Sequence, residues 1–264
     1  MTLELRGLGK TFHTRKAGTQ GVLRDVDLAV ESGEFVSFIG HSGCGKSTLL
    51  NVVAGLLPAD RGQVLLDGEE VTGAGPDRAM VFQNYSLLPR LNLLANVREA
   101  VRAARPDRKA ALNDEMSERY LRAVGLWEHR HKRPAQVSGG MQQRTAVARA
   151  FAVSPRLLLL DEPFGALDAL TRARLQMQLI ELWQQESETE TVLMVTHGID
   201  EAIFLADRIV VMANAPGPSI LDVIPVELER PRDRTAMGRD PAYCAVQQRL
   251  VRLLTAEEPE ESAA

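Results

Sequence analysis

Between residues 40 and 48 the chain reads Gly40-His41-Ser42-Gly43-Cys44-Gly45-Lys46-Ser47-Thr48, which fits the pattern G-x-x-x-x-G-K-[ST]. The flanks constrain the fold as much as the loop does. The apolar run 34–39 before it predicts a short strand, and Leu49-Leu50-Asn51-Val52-Val53-Ala54 after it predicts a helix. Strand, glycine loop and helix in that order turn a short pattern into a phosphate cradle. Backbone N–H groups of such a turn, with the positive end of a helix, hold an anion without side chains. Gly40, Gly43 and Gly45 allow the close backbone approach, Lys46 reaches the β- and γ-phosphates, and the Ser47 hydroxyl binds Mg²⁺. A glycine turn matching by accident would not be expected to carry both flanks.

The rest of the chain is read around that loop. Its 264 residues and 45% hydrophobic content suit one large domain, or one domain with a subdomain. With 31 basic and 35 acidic residues and a net charge of -4, bulk electrostatics give no sign of nucleic-acid binding. The acidic stretches 186–190 and 257–261 read as solvated faces or a frayed end. Of the two cysteines, Cys44 lies inside the phosphate loop and Cys244 far from it, so both are expected as free thiols in a reducing compartment. Met1 to Arg6 has no signal-peptide pattern, and no apolar run approaches the roughly 20 residues that span a bilayer. A membrane role is therefore expected to come through a partner.

Apolar strands alternate with helical stretches, which predicts an α/β fold with a mostly parallel sheet. Leu3–Leu8 and Val26–Val30 alternate and are expected as an antiparallel edge layer. Further strands are predicted at 34–39, 64–68, 79–83, 156–160, 191–196 and 208–212. The segment 96–150 is rich in Ala, Arg, Glu and Leu at helical spacing and is expected to form an inserted helical subdomain. The surrounding segments 1–95 and 151–230 would form the core. Residues 231–264 would be a short C-terminal extension, following Pro216, Gly217 and Pro218, a β-like run at 220–228 and including a helix at 241–254.

Leu157-Leu158-Leu159-Leu160-Asp161-Glu162 is an apolar strand ending in two carboxylates. Downstream of a phosphate loop such a pair forms the second half of a nucleotide site: Asp161 positions Mg²⁺, through water, and Glu162 polarises the attacking water as general base. Without the loop, the pair would simply end a strand in solvent. Val137-Ser138-Gly139-Gly140-Met141-Gln142-Gln143-Arg144 precedes a helix at 145–150 and offers a second anion site at a helix N-terminus. Taken alone, Ser138 would be only a helix cap. The cluster His129, His131, Lys132 and Arg133 has no matching metal ligand and is expected as a solvated turn.

With these motifs the chain resembles, over nearly its whole length, the ATP-binding subunit of ATP-binding cassette (ABC) transporters. The resemblance implies that Ser138, Gly139 and Gly140 close over the γ-phosphate of ATP held by a second subunit; Met141 departs from the usual glutamine. It further implies that Gln83 contacts Mg²⁺ and the attacking water, and that Ala166-Leu167-Asp168 crosses a dimer interface. His197 would contact the γ-phosphate. Phe12 is the match for the residue that stacks on adenine, with His13 as the adjacent alternative, because 8–21 is longer and more polar than usual. A lone Gln, His or Phe is ordinarily structural; the ordered set 40–48, 83, 138–140, 161–162, 168 and 197 is specific.

The implied partners are a second ATPase subunit, identical or related, transmembrane permeases, and indirectly an external solute-binding protein. The implied place is the cytoplasmic face of the inner membrane. Asn84, Tyr85, Leu87, Leu88, Pro89 and Arg90 fit either a permease-docking groove or the subdomain core. The segments 40–45, 75–78 and 81–89 look most like the nitrate/nitrite/cyanate importers, with the taurine and alkanesulfonate importers as the alternative; Arg90 departs from the usual tryptophan. Clamp ATPases of DNA repair would need a long coiled coil between Lys46 and Ser138, translation ATPases usually carry two cassettes, and exporters commonly fuse a membrane segment. None of these is visible.

Overall fold

A computed structural model describes residues 1–14, 18–165, 167–214 and 217–256. Ala166, Pro216 and the acidic stretch 257–261 lie outside the described residues. The chain forms two compact units, Met1–Gly73 with Leu193–Ala264, and Ala74–Val192. Strands and helices are numbered along the chain.

The first unit opens with an antiparallel layer. β1 (Leu3–Thr14) pairs with β2 (Gly18–Val30) and with β4 (Arg61–Leu66), which pairs with β5 (Glu69–Glu70). Leu3 faces Val30 on one side and Leu66 on the other. Leu3, Leu5, Val26, Leu28 and Val30 are buried, so the alternation in the sequence is the alternation of the pleat. Both strands run further than the apolar pattern predicted. Past Leu8 their residues are more polar and the register shifts, so alternation no longer marks them. The turn from β4 to β5 is Asp67-Gly68, both with positive φ (50° and 83°), the preference of a two-residue hairpin.

A second layer of this unit holds the phosphate loop. β3 (Phe35–Gly40) is buried at every position and pairs in parallel with β9 (Arg208–Met212), from Val36 opposite Arg208 to Gly40 opposite Met212. A strand buried on both faces is mostly apolar, and β3 is so apart from the buried Ser37. β10 (Ile220–Pro225) joins β9 antiparallel and stops at Pro225, three residues short of the predicted run. The helices of this unit are α1 (Lys46–Val53), α6 (Ile199–Leu205), α7 (Arg234–Met237) and α8 (Pro241–Thr255). Buried Arg232 donates from one guanidinium nitrogen to the carbonyls of Ile203, Phe204 and Ala206, closing the C-terminal end of α6. Burial, with Arg230 beside it, pushes that guanidinium down to about 10.

In the second unit β6 (Arg78–Val81) lies parallel to β7 (Leu157–Asp161). Helices α2 (Leu93–Ala104), α3 (Ala110–Ala123) and α4 (Gly139–Ala152) pack against one another around Val97, Val101, Leu121 and Phe151, with Tyr120 stacked on Phe151 at 6.1 Å. The helical reading of the middle segment holds, but α4 starts at Gly139, not near 145, because Ser138 caps it there. α5 (Ala169–Glu181) widens into a π turn at Leu182–Glu186. β8 (Thr191–Val195) carries the chain from the second unit back to the first.

Candidate functional site

In the first unit the phosphate loop joins β3 to α1. A Cβ on Gly40 would collide with the carbonyl oxygen of Met212 and lie 2.8 Å from the Cys44 sulfur, so the neighbouring strand forbids any side chain there. Gly45, the N-cap of α1, has φ 101°, a region L side chains avoid. No side chain caps α1, so the N–H groups of its first turn are donors for an anion. Lys46 is buried and folded over the loop, donating to Gly40 O at 2.7 Å and His41 O at 2.8 Å. Phosphate oxygens are stronger acceptors for an ammonium than these neutral carbonyls. Ser42, Gly43 and Ser47 are exposed and Thr48 half-buried; Cys44 is buried, and both it and Cys244 are free thiols.

His197 is exposed just after β8. The turn beneath it is fixed: Thr196 N–H donates to Phe38 O at 3.1 Å, the Thr196 hydroxyl donates to Glu201, and Gly198 N–H donates to that hydroxyl at 3.0 Å. Phe12 lies on β1 opposite Gln20, 37% exposed, with the Lys10 ammonium 5.8 Å from its ring centre. Its neighbour His13 is tied to the Thr19 hydroxyl at 3.0 Å, which leaves Phe12 the freer face. A polar cavity of about 210 Å³ beside the loop is lined by Gln20, Gly21, Val22, Gly43, Cys44 and Asn214. Gln20, Val22 and Asn214 carried no motif that would have singled them out.

The second unit carries the acidic pair. Asp161 ends β7 and is buried; Glu162 follows with φ 46°, a left-handed turn unusual outside glycine and common where function fixes the backbone. Gln83, two residues beyond the end of β6, donates its side-chain amide to Glu162 Oε2 at 2.9 Å. Ser138 is the N-cap of α4, its hydroxyl accepting from Met141 N–H at 3.3 Å. Gly139 is exposed and Gly140 half-buried; a Cβ on Gly140 would sit 3.0 Å from Thr171. Asp168 caps α5 by accepting from Thr171 N–H at 3.0 Å; hydrogen bonding from the Thr171 side chain, then from its backbone N–H, holds the Asp168 carboxyl below the usual range. The cap role of Ser138 and its exposure beside two glycines thus coexist.

Residues 84–90 form a loop held from beneath by side chains that carried no sequence signal. Tyr85 and Ser86 both have positive φ, and their carbonyls accept from Arg149 at 3.0 and 2.7 Å. Buried Asn96 accepts from Leu88 N–H at 2.7 Å and donates to Leu88, Leu91 and Asn92 carbonyls. An apolar groove of about 720 Å³ opens in this unit, lined among others by Ala79, Met80, Phe82, Ala100, Ala103 and Val153. None of Asn84, Tyr85, Leu87, Leu88, Pro89 and Arg90 lines it, because Asn96 draws 88–92 onto the start of α2. Of the cluster His129, His131, Lys132 and Arg133, the last three are exposed, as expected of a solvated turn, while His129 is half-buried; the Arg130 and Lys132 carbonyls accept from Leu94 and Leu93 N–H at 3.0 and 2.9 Å.

Residues 23–165 match the family model described as ABC transporter. The chain is 51% identical to the nitrate import ATP-binding protein NrtD of Synechococcus elongatus, over 89% of this chain and 85% of that one. It is 47% identical to the bicarbonate transport ATP-binding protein CmpD of Synechocystis, over 91% of this chain and 84% of that one. Among solved structures it is similar to a dimeric, post-hydrolysis state of the ATP-binding cassette MJ0796 bound to ADP and Pi, with TM-score 0.73 and 29% identity, covering 86% of this chain and 100% of that one.

Proposed function

This chain belongs to the ABC transporter family, and we propose that it is the ATP-hydrolysing subunit of an importer for a small inorganic anion, nitrate first. The observation that carries the anion is the 51% identity to a nitrate import subunit across most of both chains. Bicarbonate is the second reading, supported by the 47% relative. In this reading the solute passes through the partner permeases, so identity across the cassette supports the solute class rather than any pocket. No helix among the described residues is long and apolar enough to cross a membrane. In this reading, which rests on the likeness to import subunits, the chain works through permeases at the cytoplasmic face of the membrane.

The residues divide the work as follows. The loop 40–48 and the start of α1 grip the triphosphate; Lys46 exchanges the carbonyls of Gly40 and His41 for phosphate oxygens. Phe12 stacks on the adenine. Ser47, Gln83 and Asp161 suit the oxygen ligation of Mg²⁺, which keeps several waters and takes few protein ligands besides phosphates. Bound there, Mg²⁺ supplies charge neutralisation at the β- and γ-phosphates. Glu162, fixed by Gln83, accepts the proton of the attacking water. His197 donates toward the γ-phosphate. Exposed Ser138 and Gly139, with half-buried Gly140, cap the nucleotide of a second subunit, identical or related, and a twofold arrangement completes two sites at once. Because the closed pair binds ATP better than the open one, ATP drives closure and hydrolysis reverses it.

The test is the importer reconstituted with its permeases and its solute-binding protein, with ATP turnover measured against added anion. Stimulation by nitrate supports the first reading, and stimulation by bicarbonate alone selects the second. Stimulation by taurine or an alkanesulfonate alone would overturn both.

A further inference from the structure

Helix α8 touches the nucleotide machinery of its own unit at both ends. At its start the Tyr243 hydroxyl donates to Asp200 Oδ1 at 2.6 Å, and Gln247 donates to the same oxygen at 3.1 Å and to the Tyr243 hydroxyl at 3.2 Å. Asp200 lies in the first turn of α6, three residues after His197. At its end, the Leu254 carbonyl is one of the last four of the helix, which have no intrahelical partner. It pairs with His41 Nε2 at 2.7 Å, inside the phosphate loop. A carbonyl only accepts, so His41 must carry a proton on Nε2. Along the axis, Tyr243 and Leu254 are about 16 Å apart at 1.5 Å per residue.

Between its ends α8 is held rigidly. Arg249 pairs with Asp222 of β10 at 2.7 Å, and Leu250 is fully buried. Burial, then the Asp200 carboxylate, pushes the Tyr243 hydroxyl up to about 12, which keeps it protonated and donating. Neither His41 nor Tyr243 owes this pairing to a shared nucleotide motif: one is a variable position of the loop pattern and the other lies far downstream.

We propose that α8 is a strut that holds the phosphate loop and the His197 turn in register, with His41 and Tyr243 as positioning residues for ATP binding. His41 fixes the backbone of the loop through Leu254, so less ordering is left to the nucleotide when it binds. The inference rests on ATP use by this cassette and is independent of which anion is carried.

Two experiments on the full-length chain test it, the second in the assembled importer. Nitrogen NMR of the ¹⁵N-histidine-labelled protein should show His41 protonated at Nε2; a neutral ring protonated only at Nδ1 would overturn the pairing whatever the protein does. In turnover assays, His41→Ala should raise KM for ATP about threefold to tenfold, the range of one lost hydrogen bond, with kcat less affected. His41→Gln, whose Nε2 also donates, should recover most of that loss. Tyr243→Phe should raise KM in the same direction, and the double variant His41→Ala/Tyr243→Phe should be no worse than His41→Ala alone, because a strut cut at one end transmits nothing. An unchanged KM in His41→Ala, no rescue by His41→Gln, or fully additive losses would each sink the strut, while a change of stimulating anion would touch only the solute reading.

Discussion

The side-chain amide of Gln83 donates to Glu162 Oε2 at 2.9 Å, joining the second residue beyond β6 to the residue after β7. The two strands are parallel neighbours with Val81 opposite Leu160, so their ends deliver both side chains to one place. An amide donating to a carboxylate fixes its orientation. Glu162→Gln keeps the shape and removes the base. Turnover should fall by about 10²- to 10⁴-fold, the range for loss of a general base, with ATP affinity kept and an ATP-bound dimer accumulating. Single-turnover kinetics with sedimentation in ATP measures this, and near-normal hydrolysis would take Glu162 out of the role.

Ser138 has two duties, and one substitution separates them. Its hydroxyl caps α4, and loss of such a cap costs about 1 kcal/mol. Ser138→Ala should therefore lower the melting temperature by a few degrees. Ser138→Arg adds a bulky cation beside exposed Gly139. It should match Ser138→Ala in thermal stability and in nucleotide binding by the monomer, yet block the ATP-driven dimer in a Glu162→Gln background. If ATP still assembled that double variant, the shared-site mechanism would lose its basis.

Legibility of this chain followed the chemistry of each feature. The phosphate loop was readable because its needs are backbone needs: Gly40 answers the Met212 carbonyl and Gly45 answers a positive φ, and only glycine meets both. β7 was readable because a strand buried on both faces is mostly apolar, as Leu157–Leu160 are before Asp161. The outer halves of β1 and β2 were not, since exposed, register-shifted residues carry no alternation. Arg149, Asn96 and the His41 contact were equally invisible. A long-range hydrogen bond from a side chain to a backbone carbonyl leaves no trace in spacing or composition. The same holds for the groove: residues 84–90 drew attention by their apolar content, whereas only the polar Ser86 of that stretch lines the cavity, whose walls come mainly from α2, β6 and the end of α4.

Asp60 predicts a pH dependence. Its carboxylate accepts from Lys10 Nζ at 2.7 Å and from Thr11 N–H at 2.7 Å, and these hydrogen bonds, Lys10 first, hold it below the usual carboxylate range. A depressed pKa in the folded state means the stabilisation is complete above the unfolded value, about 3.9, and is lost as the pH falls through the folded one. Asp60→Asn should therefore melt below wild type by a constant margin at neutral and mildly acidic pH. The margin should shrink as the pH passes below about 4. Melting curves from pH 7 to pH 3 test this, and an offset independent of pH would exclude the ionised pair as its source.

On the importer reading, we propose the groove of the second unit, in place of residues 84–90, as the seat for a permease segment, and its small lining residues give a sharp test. Ala100 and Ala103 lie on α2 four and one positions before its last residue, both lining a cavity of about 720 Å³ together with Met80 and Phe82. Ala103→Arg fills that space with a long charged chain without disturbing the residues that hold nucleotide. Exposed sites near a helix end tolerate arginine well, so the fold should persist with a change within about 0.5 kcal/mol. The isolated subunit should bind ATP as wild type does, while co-purification with the permeases and anion-stimulated turnover should be lost. Retention of the complex by Ala103→Arg would place the docking surface elsewhere on the chain.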